Sequence, residues 1–228
     1  MKQEFDQFID TYRPDLDQAL ALSGESSAYF AHYKAQKLAE WLPLLITQHV
    51  SILDFGCGDG LMTHFVSQQF KKAQLYGVDP SPKSIEVAQK NYSSIIFSVN
   101  SDQSTQLQFV DSSFDIIFAA GAFHHIPFHL HEGYMKEIKR ILKPGGYLVM
   151  FELNPLNPLT VRTFKKNPID FNAKMLLPWY AYRLAKNYGA PRIKFYCFFP
   201  KFLKFLRFTE SFLTKLPCGA LYAVIMKR

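Results

Sequence analysis

V-S-I-L-D-F-G-C-G-D-G, residues 50–60, is a short apolar run that ends in an acid, Asp54, and then breaks into Gly56, Gly58 and Gly60. A helix-like segment, residues 61–70, follows at once. Strand, glycine turn and helix in that order let backbone approach a ligand where side chains would obstruct it. The alternation continues downstream. Residues 74–79 (Q-L-Y-G-V-D) read as a second strand ending in Asp79, and Ser81 with Pro82 supplies an N-cap followed by proline at the first helical position. Residues 95–99 and 114–120 read as third and fourth strands, the latter nearly all apolar, as a doubly covered parallel strand should be. A helix over residues 134–142 stops at Lys143-Pro144-Gly145-Gly146, and residues 147–151 form a fifth strand ending at Glu152. This spacing predicts βαβ units with right-handed crossovers: an α/β, doubly wound, Rossmann-like sheet with helices on both faces.

Outside that frame the texture changes. Ala31, Ala35, Leu38, Ala39 and Leu42 recur at helical spacing until Pro43, so residues 1–49 are expected to be a helical segment that either packs on the domain or caps its ligand. Residues 50–228 would be the domain itself. After Glu152 comes a rigid loop, N-P-L-N-P, then a helix near residues 179–187 and strands over 193–199 and 220–226. Residues 201–216 stand as an insertion between those last strands, with Phe202, Phe205, Leu206, Leu213 and Leu216 on one helical face and Lys204, Arg207 and Ser211 on the other. Three roles are open for it: core and cap of a substrate cleft, membrane-surface segment or oligomer contact. Phe195, Tyr196, Phe198 and Phe199 before it are either a buried strand or the wall of an aromatic pocket.

The 228 residues, 48% hydrophobic and 20% charged, suffice for one full core. The N-terminus has no apolar signal core, no run is long enough to span a membrane, and Cys57, Cys197 and Cys218 have no pairing or zinc spacing. A reducing cytoplasm is the expected location. Charge is lopsided: residues 1–150 carry 12 Lys/Arg against 16 Asp/Glu, residues 151–228 carry 14 against 3. The basic last third is either a solvated face or an attractor of anionic partners.

The glycine turn discriminates among ligands. A dinucleotide site wants G-x-G-x-x-G, but Leu61 stands after Gly60, and no Gly-Lys-Ser/Thr phosphate loop is present. S-adenosylmethionine, with a ribose, an adenine and an amino-acid end, remains. Asp54 at the strand tip would face its ammonium, and Asp79 would accept its ribose hydroxyls. D-F-G-C-G-D-G, V-D-P-S, F-V-D-S-S-F-D-I-I-F, F-H-H-I-P and L-K-P-G-G-Y-L-V-M-F-E together resemble the class I S-adenosylmethionine-dependent methyltransferases, and most nearly the small bacterial type-11 and quinone-biosynthesis group. The resemblance covers residues 48–152. It implies a seven-stranded sheet, mostly parallel with the last strand antiparallel. It also implies Gly56 and Gly58 beneath the methionine moiety, Asp79 on the ribose and Pro80 against the adenine, with Cys57 and Ala120 completing the cofactor set. Asn100, Ser101 and Asp102 replace the usual Gly-Asp pair at the adenine edge.

Methyl transfer from a sulfonium needs a base only when the acceptor arrives protonated. His124 and His125, after the fourth strand, and Glu152, at the tip of the fifth, are the catalytic candidates. His129 and His131 lie nearby, but no Asp/Glu/His set with ligand spacing accompanies the four; they read as surface loop histidines, and no metal is expected. Pro217-Cys218 stands far from the fourth strand, and that strand lacks the Asn/Asp-Pro-Pro-Tyr/Phe of amino-methylating nucleic-acid enzymes, which argues against a nucleobase. The expected reaction is methyl transfer to oxygen or carbon of a small, anionic or aromatic acceptor. The alternatives are a peripheral membrane methylase of a lipid-linked or quinone-like acceptor, and a non-catalytic cofactor-binding subunit.

Overall fold

The computed structural model describes residues 6, 9, 11–101 and 104–228. Asp102 lies outside them. The strands are β1 (Ser51–Phe55), β2 (Gln74–Asp79), β3 (Ile96–Val99), β4 (Phe114–Ala120), β5 (Leu142–Leu153), β6 (Ala190–Tyr196) and β7 (Leu221–Lys227). They form one sheet in the order β3-β2-β1-β4-β5-β7-β6. β1 pairs in parallel with β2 and β4, and β4 with β5, while β7 is antiparallel to both β5 and β6. The order reverses between β1 and β4, which opens a crevice beyond the carboxyl ends of those strands.

Period-2 alternation in the strands builds two cores. Ile116, Phe118, Val149 and Phe151 face one side, where they meet α2 (Ser27–Trp41), α3 (Leu61–Gln69) and α4 (Pro82–Asn91). Ile117, Ala119, Leu148 and Met150 face the other, packed on α5 (Phe128–Ile141) and α7 (Pro178–Lys186). Ser81 caps α4 by accepting from the Ser84 amide, as its sequence predicts. β5 begins earlier than expected, at Leu142, and runs through the Lys-Pro-Gly-Gly turn.

β6 spans Ala190–Tyr196 where the sequence predicts 193–199, and two further segments differ from expectation. N-P-L-N-P is a loop only to Asn157, whose side chain accepts from the amides of Leu159 and Thr160 and starts α6 (Pro158–Lys166). Residues 201–209 form a 3₁₀ helix, Lys201–Thr209, kinked at Leu203, before the short α8 (Glu210–Leu213). With three residues per turn, Phe202, Phe205 and Phe208 line up on one face. That face points outward: Phe202, Phe205, Phe208 and Phe212 are 66–84% exposed. Arg207, expected on the solvent side, faces inward and donates to Tyr29 Oη at 2.7 Å and Glu25 at 3.0 Å, and Glu210 receives the amides of Phe198 and Phe199. Segment 201–209 therefore does not bury its phenylalanines as a core.

Candidate active site

The crevice holds two adjoining cavities, of about 200 and 250 Å³, whose walls share Gly56, Gly58, Lys34, Ala120 and Tyr12. The glycine turn forms their floor. Gly58 adopts φ +52° and a Cβ built there would meet nothing within 4 Å, so the space above it is open for a ligand. Gly60, at φ +79°, has the opposite constraint: its Cβ would lie 2.8 Å from Phe97 Cζ and 3.0 Å from Ala88 Cβ, so only glycine lets the turn pack on α4 and β3.

Asp79 accepts the amides of Gly58 and Ser81, each at 2.9 Å, and lines the first cavity beside Pro80. Burial pushes its carboxyl up to about 6, against the pull of those two amides. Asp54, buried, accepts Thr63 Oγ1 at 2.6 Å and borders the second cavity. Burial raises it to about 7, opposed by the Thr63 hydrogen bond and helped by the Asp79 charge. Cys57 is buried, and its thiol is pushed well up by that burial and by Asp79, which suits a small spacer and not a nucleophile. Asn100 lines the first cavity with a buried Oδ1 that has no partner among the described residues, while Ser101 is exposed and away from it. A raised pair of carboxyls, an open glycine floor and an orphan amide oxygen fit a ligand that is cationic at one end, hydroxylated in the middle and amine-bearing at the other.

His124, His125 and Glu152 come together at the far wall, and a residue with no signal in the glycine-turn motifs joins them: Asp170, from the 3₁₀ turn Pro168–Asp170. Glu152, buried, accepts the Phe123 amide at 3.2 Å and holds His124 Nδ1 at 2.7 Å. Asp170 Oδ1 stands 3.4 Å from His124 Nε2 and 3.3 Å from His125 Nε2. Burial disfavours the His124 imidazolium, but Glu152 and Asp170 outweigh it and push the group up to about 9. Burial and the His124 charge lower His125, and the two histidines hold Asp170 well below the carboxylate range against its own burial. Asp170 thus supplies the acidic partner that the sequence spacing did not show. Nor are these surface histidines: His124 is buried, and so is His131, whose ring bonds Tyr180 Oη and the Ile126 and Phe123 carbonyls. Only His129 of the four is exposed.

Four further residues reach the site from the N-terminal helices. On α1 (Tyr12–Ala19), Tyr12 and Leu16 line both cavities, and Arg13 forks onto Asp59 of the glycine turn, donating from Nε at 2.6 Å. On α2, Lys34 lines both cavities, and burial lowers its pKa against the attraction of Glu152. Its position was legible: Ala31, Lys34, Ala35 and Leu38 share one helical face, so a lysine interrupts an apolar stripe.

The strand order with its antiparallel last strand, and the crevice above the glycine turn, define the class I S-adenosylmethionine-dependent methyltransferase fold. Residues 53–150 match the type-11 methyltransferase domain model. It is 30% identical over 138 residues to a sterol 4-C-methyltransferase of Caenorhabditis elegans, covering 55% of this chain and 40% of that one. It is likewise 30% identical over 128 residues to the demethylmenaquinone methyltransferase of Thermotoga maritima, covering 56% and 53%. The chain thus spans about half or less of the length of these curated relatives. A solved structure of an S-adenosylmethionine-dependent methyltransferase from Thermotoga maritima, a possible histamine N-methyltransferase, superposes with a TM-score of 0.67 at 20% identity, over 100% of this chain and 99% of that one. S-adenosylmethionine is accordingly the expected cofactor.

Proposed function

We propose that the protein transfers a methyl group from S-adenosylmethionine to oxygen or carbon of a small acceptor. The observation that carries this reading is the division of the crevice. One end is an acid-rich cradle over Gly58, and the other a wall of His124, His125, Glu152 and Asp170. The adjoining cavity shares the Gly58 floor, borders Asp54, and extends past Leu20, Leu22, Phe30, Phe198 and Phe199. When bound, the cofactor supplies an electrophilic methyl on a sulfonium. Asp79 would take the ribose hydroxyls, Asp54 would face the ammonium, and Asn100 Oδ1 would take the adenine amine. Lys34 would meet the cofactor carboxylate or an anionic acceptor. Holding donor and acceptor in line contributes about 7–11 kcal/mol to such a reaction, so positioning dominates. A screen of phenols, quinols, carbon acids and amines, read out as S-adenosylhomocysteine, tests the proposal. Turnover confined to oxygen or carbon acids supports it; turnover on amines alone, or on no acceptor, counts against it.

The exposed row of Phe202, Phe205, Phe208 and Phe212 favours a second reading of where the acceptor comes from. Exposed Lys201, Lys204 and Lys215 stand beside that row, in the third of the chain that carries 14 Lys/Arg against 3 Asp/Glu. Phenylalanines with adjacent lysines suit an anionic lipid surface, the rings entering the acyl boundary and the ammonium groups meeting headgroups. Phe198, Phe199 and Pro200, which line the second cavity, lead directly into this segment. A lipid-linked or quinone-like acceptor would then enter from the membrane surface.

A further inference from the structure

We propose that His124, His125 and Asp170 form a binding site for a divalent first-row cation of the zinc class, opening onto the acceptor end of the cavity. Three ligand atoms converge there, all within 4.8 Å of one another: an imidazole nitrogen from each histidine and one carboxylate oxygen. The two histidine–Asp170 separations, 3.4 and 3.3 Å, are informative because of what they are not. A charge-assisted hydrogen bond spans about 2.7–2.9 Å, and His124 makes such a bond to Glu152, at 2.7 Å. Ligands at about 2.0–2.1 Å from a tetrahedral cation are instead about 3.3–3.4 Å apart. His124 and His125 thus stand from Asp170 at the edge length of a coordination polyhedron.

The surroundings have the form that metal ligands require. Metal-bound histidines donate their other ring N–H to a carboxylate or carbonyl, and ligating carboxylates are themselves hydrogen-bonded. Glu152 takes Nδ1 of His124, which leaves Nε2 for the cation. Asn167 donates Nδ2 to Asp170 Oδ2 at 2.8 Å, which leaves Oδ1. Glu152 is in turn fixed by the Phe123 amide, and Asn167 is buried. All three ligands border the first cavity, so a fourth position faces the space an acceptor would occupy. Two imidazoles and a carboxylate with an open position are a donor set of catalytic zinc and non-haem iron sites. A cation held there supplies a Lewis acid beside an acceptor oxygen.

This inference deepens the reading of the acceptor end, yet its test needs no methyl transfer. The full chain, stripped with chelator, is titrated with Zn²⁺ by calorimetry, and X-ray absorption is recorded on the loaded protein. Expected are one Zn²⁺ per chain and first-shell nitrogen and oxygen at about 2.0–2.1 Å. Asp170→Ala or His125→Ala should abolish this binding. Glu152→Gln, which leaves the ligands but misorients His124, should weaken it by about 10–100-fold. Asp170→Asn repeats the test with the shape of the turn kept, and unchanged S-adenosylmethionine binding by each variant shows an intact fold. Absence of saturable Zn²⁺ binding below about 1 mM, or binding that survives both Asp170→Asn and His125→Ala, would overturn the proposal. In that case the four side chains are an ion network closed by a proton on His124. Loss of cofactor binding in the parent chain would instead count against the methyltransferase reading and leave the zinc result standing.

Discussion

Asp79, at the tip of β2, holds the amide of Gly58 at 2.9 Å. One carboxylate therefore does two jobs: it fixes the glycine turn in the conformation that leaves space above it, and it borders that space with acceptor capacity left over. A carboxylate has about four lone-pair sites, and the amides of Gly58 and Ser81 occupy two of them. Asp79→Ala should weaken S-adenosylmethionine binding by roughly 1–3 kcal/mol through the lost charged acceptor. Asp79→Asn should be no milder, because its amide nitrogen must face a backbone N–H. Calorimetry on both variants measures this, and unchanged affinity would mean that the ribose is held elsewhere.

Affinity for the cofactor should rise with pH between about 6 and 7. Asp79 at about 6 and Asp54 at about 7 are partly protonated in that window, and a cationic ligand favours their ionised forms. Binding should therefore release protons, seen as a dependence of the calorimetric heat on the buffer's ionisation enthalpy. The same shifts bear on stability. Both folded values lie above the unfolded ones, so their stabilising contribution is full below the usual carboxylate range and is lost as pH rises through 6 and 7. The thermal shift produced by S-adenosylmethionine should be larger at about pH 8 than at about pH 5. A flat pH profile would contradict this account of the cradle.

The Arg13–Asp59 fork ties α1 over the glycine turn. Arg13→Ala should cost the fold only about 0.2–1 kcal/mol, since the guanidinium is partly exposed. It should speed cofactor release and hydrogen exchange across residues 12–19, both measurable on one sample. Faster exchange without faster release would make α1 packing and not a cap.

Phe202→Ser, Phe205→Ser and Phe208→Ser combined should leave Tm almost unchanged, because the rings are exposed, and should remove the chain from anionic vesicles in a flotation assay. The parent chain should float at low salt, less at high salt, and not with neutral lipid. Equal flotation of parent and variant would exclude this face.

What the sequence disclosed follows its physics. That Asp54, Gly56, Gly58 and Asp79 border one crevice was legible, because the strand–glycine turn–helix repeat puts the turn and both strand-tip acids at fixed places in the chain. Asp170 was not: it meets His124 and His125 only because α6 and the turn after it carry the chain back over the cavity. α6 itself was readable, since Asn157-Pro158 repeats the cap-and-proline start of Ser81-Pro82. The outward face of the phenylalanines follows from a period that the sequence does not announce. At 3.6 residues per turn Phe202 and Phe205 join an apolar face with Leu206 and Leu213; at three, they join Phe208 and leave Leu203 and Leu206 half-buried.

The central claim is that the turn over residues 56–60 holds S-adenosylmethionine. Calorimetric titration of the full chain with S-adenosylmethionine and separately with NAD tests it most directly, alongside Gly58→Val, whose added side chain would project into the open space above the turn. The account predicts one S-adenosylmethionine per chain, no NAD binding, and loss of cofactor binding in a Gly58→Val protein that keeps its helical signal. Binding of NAD but not S-adenosylmethionine, or undiminished cofactor binding by folded Gly58→Val, would contradict it.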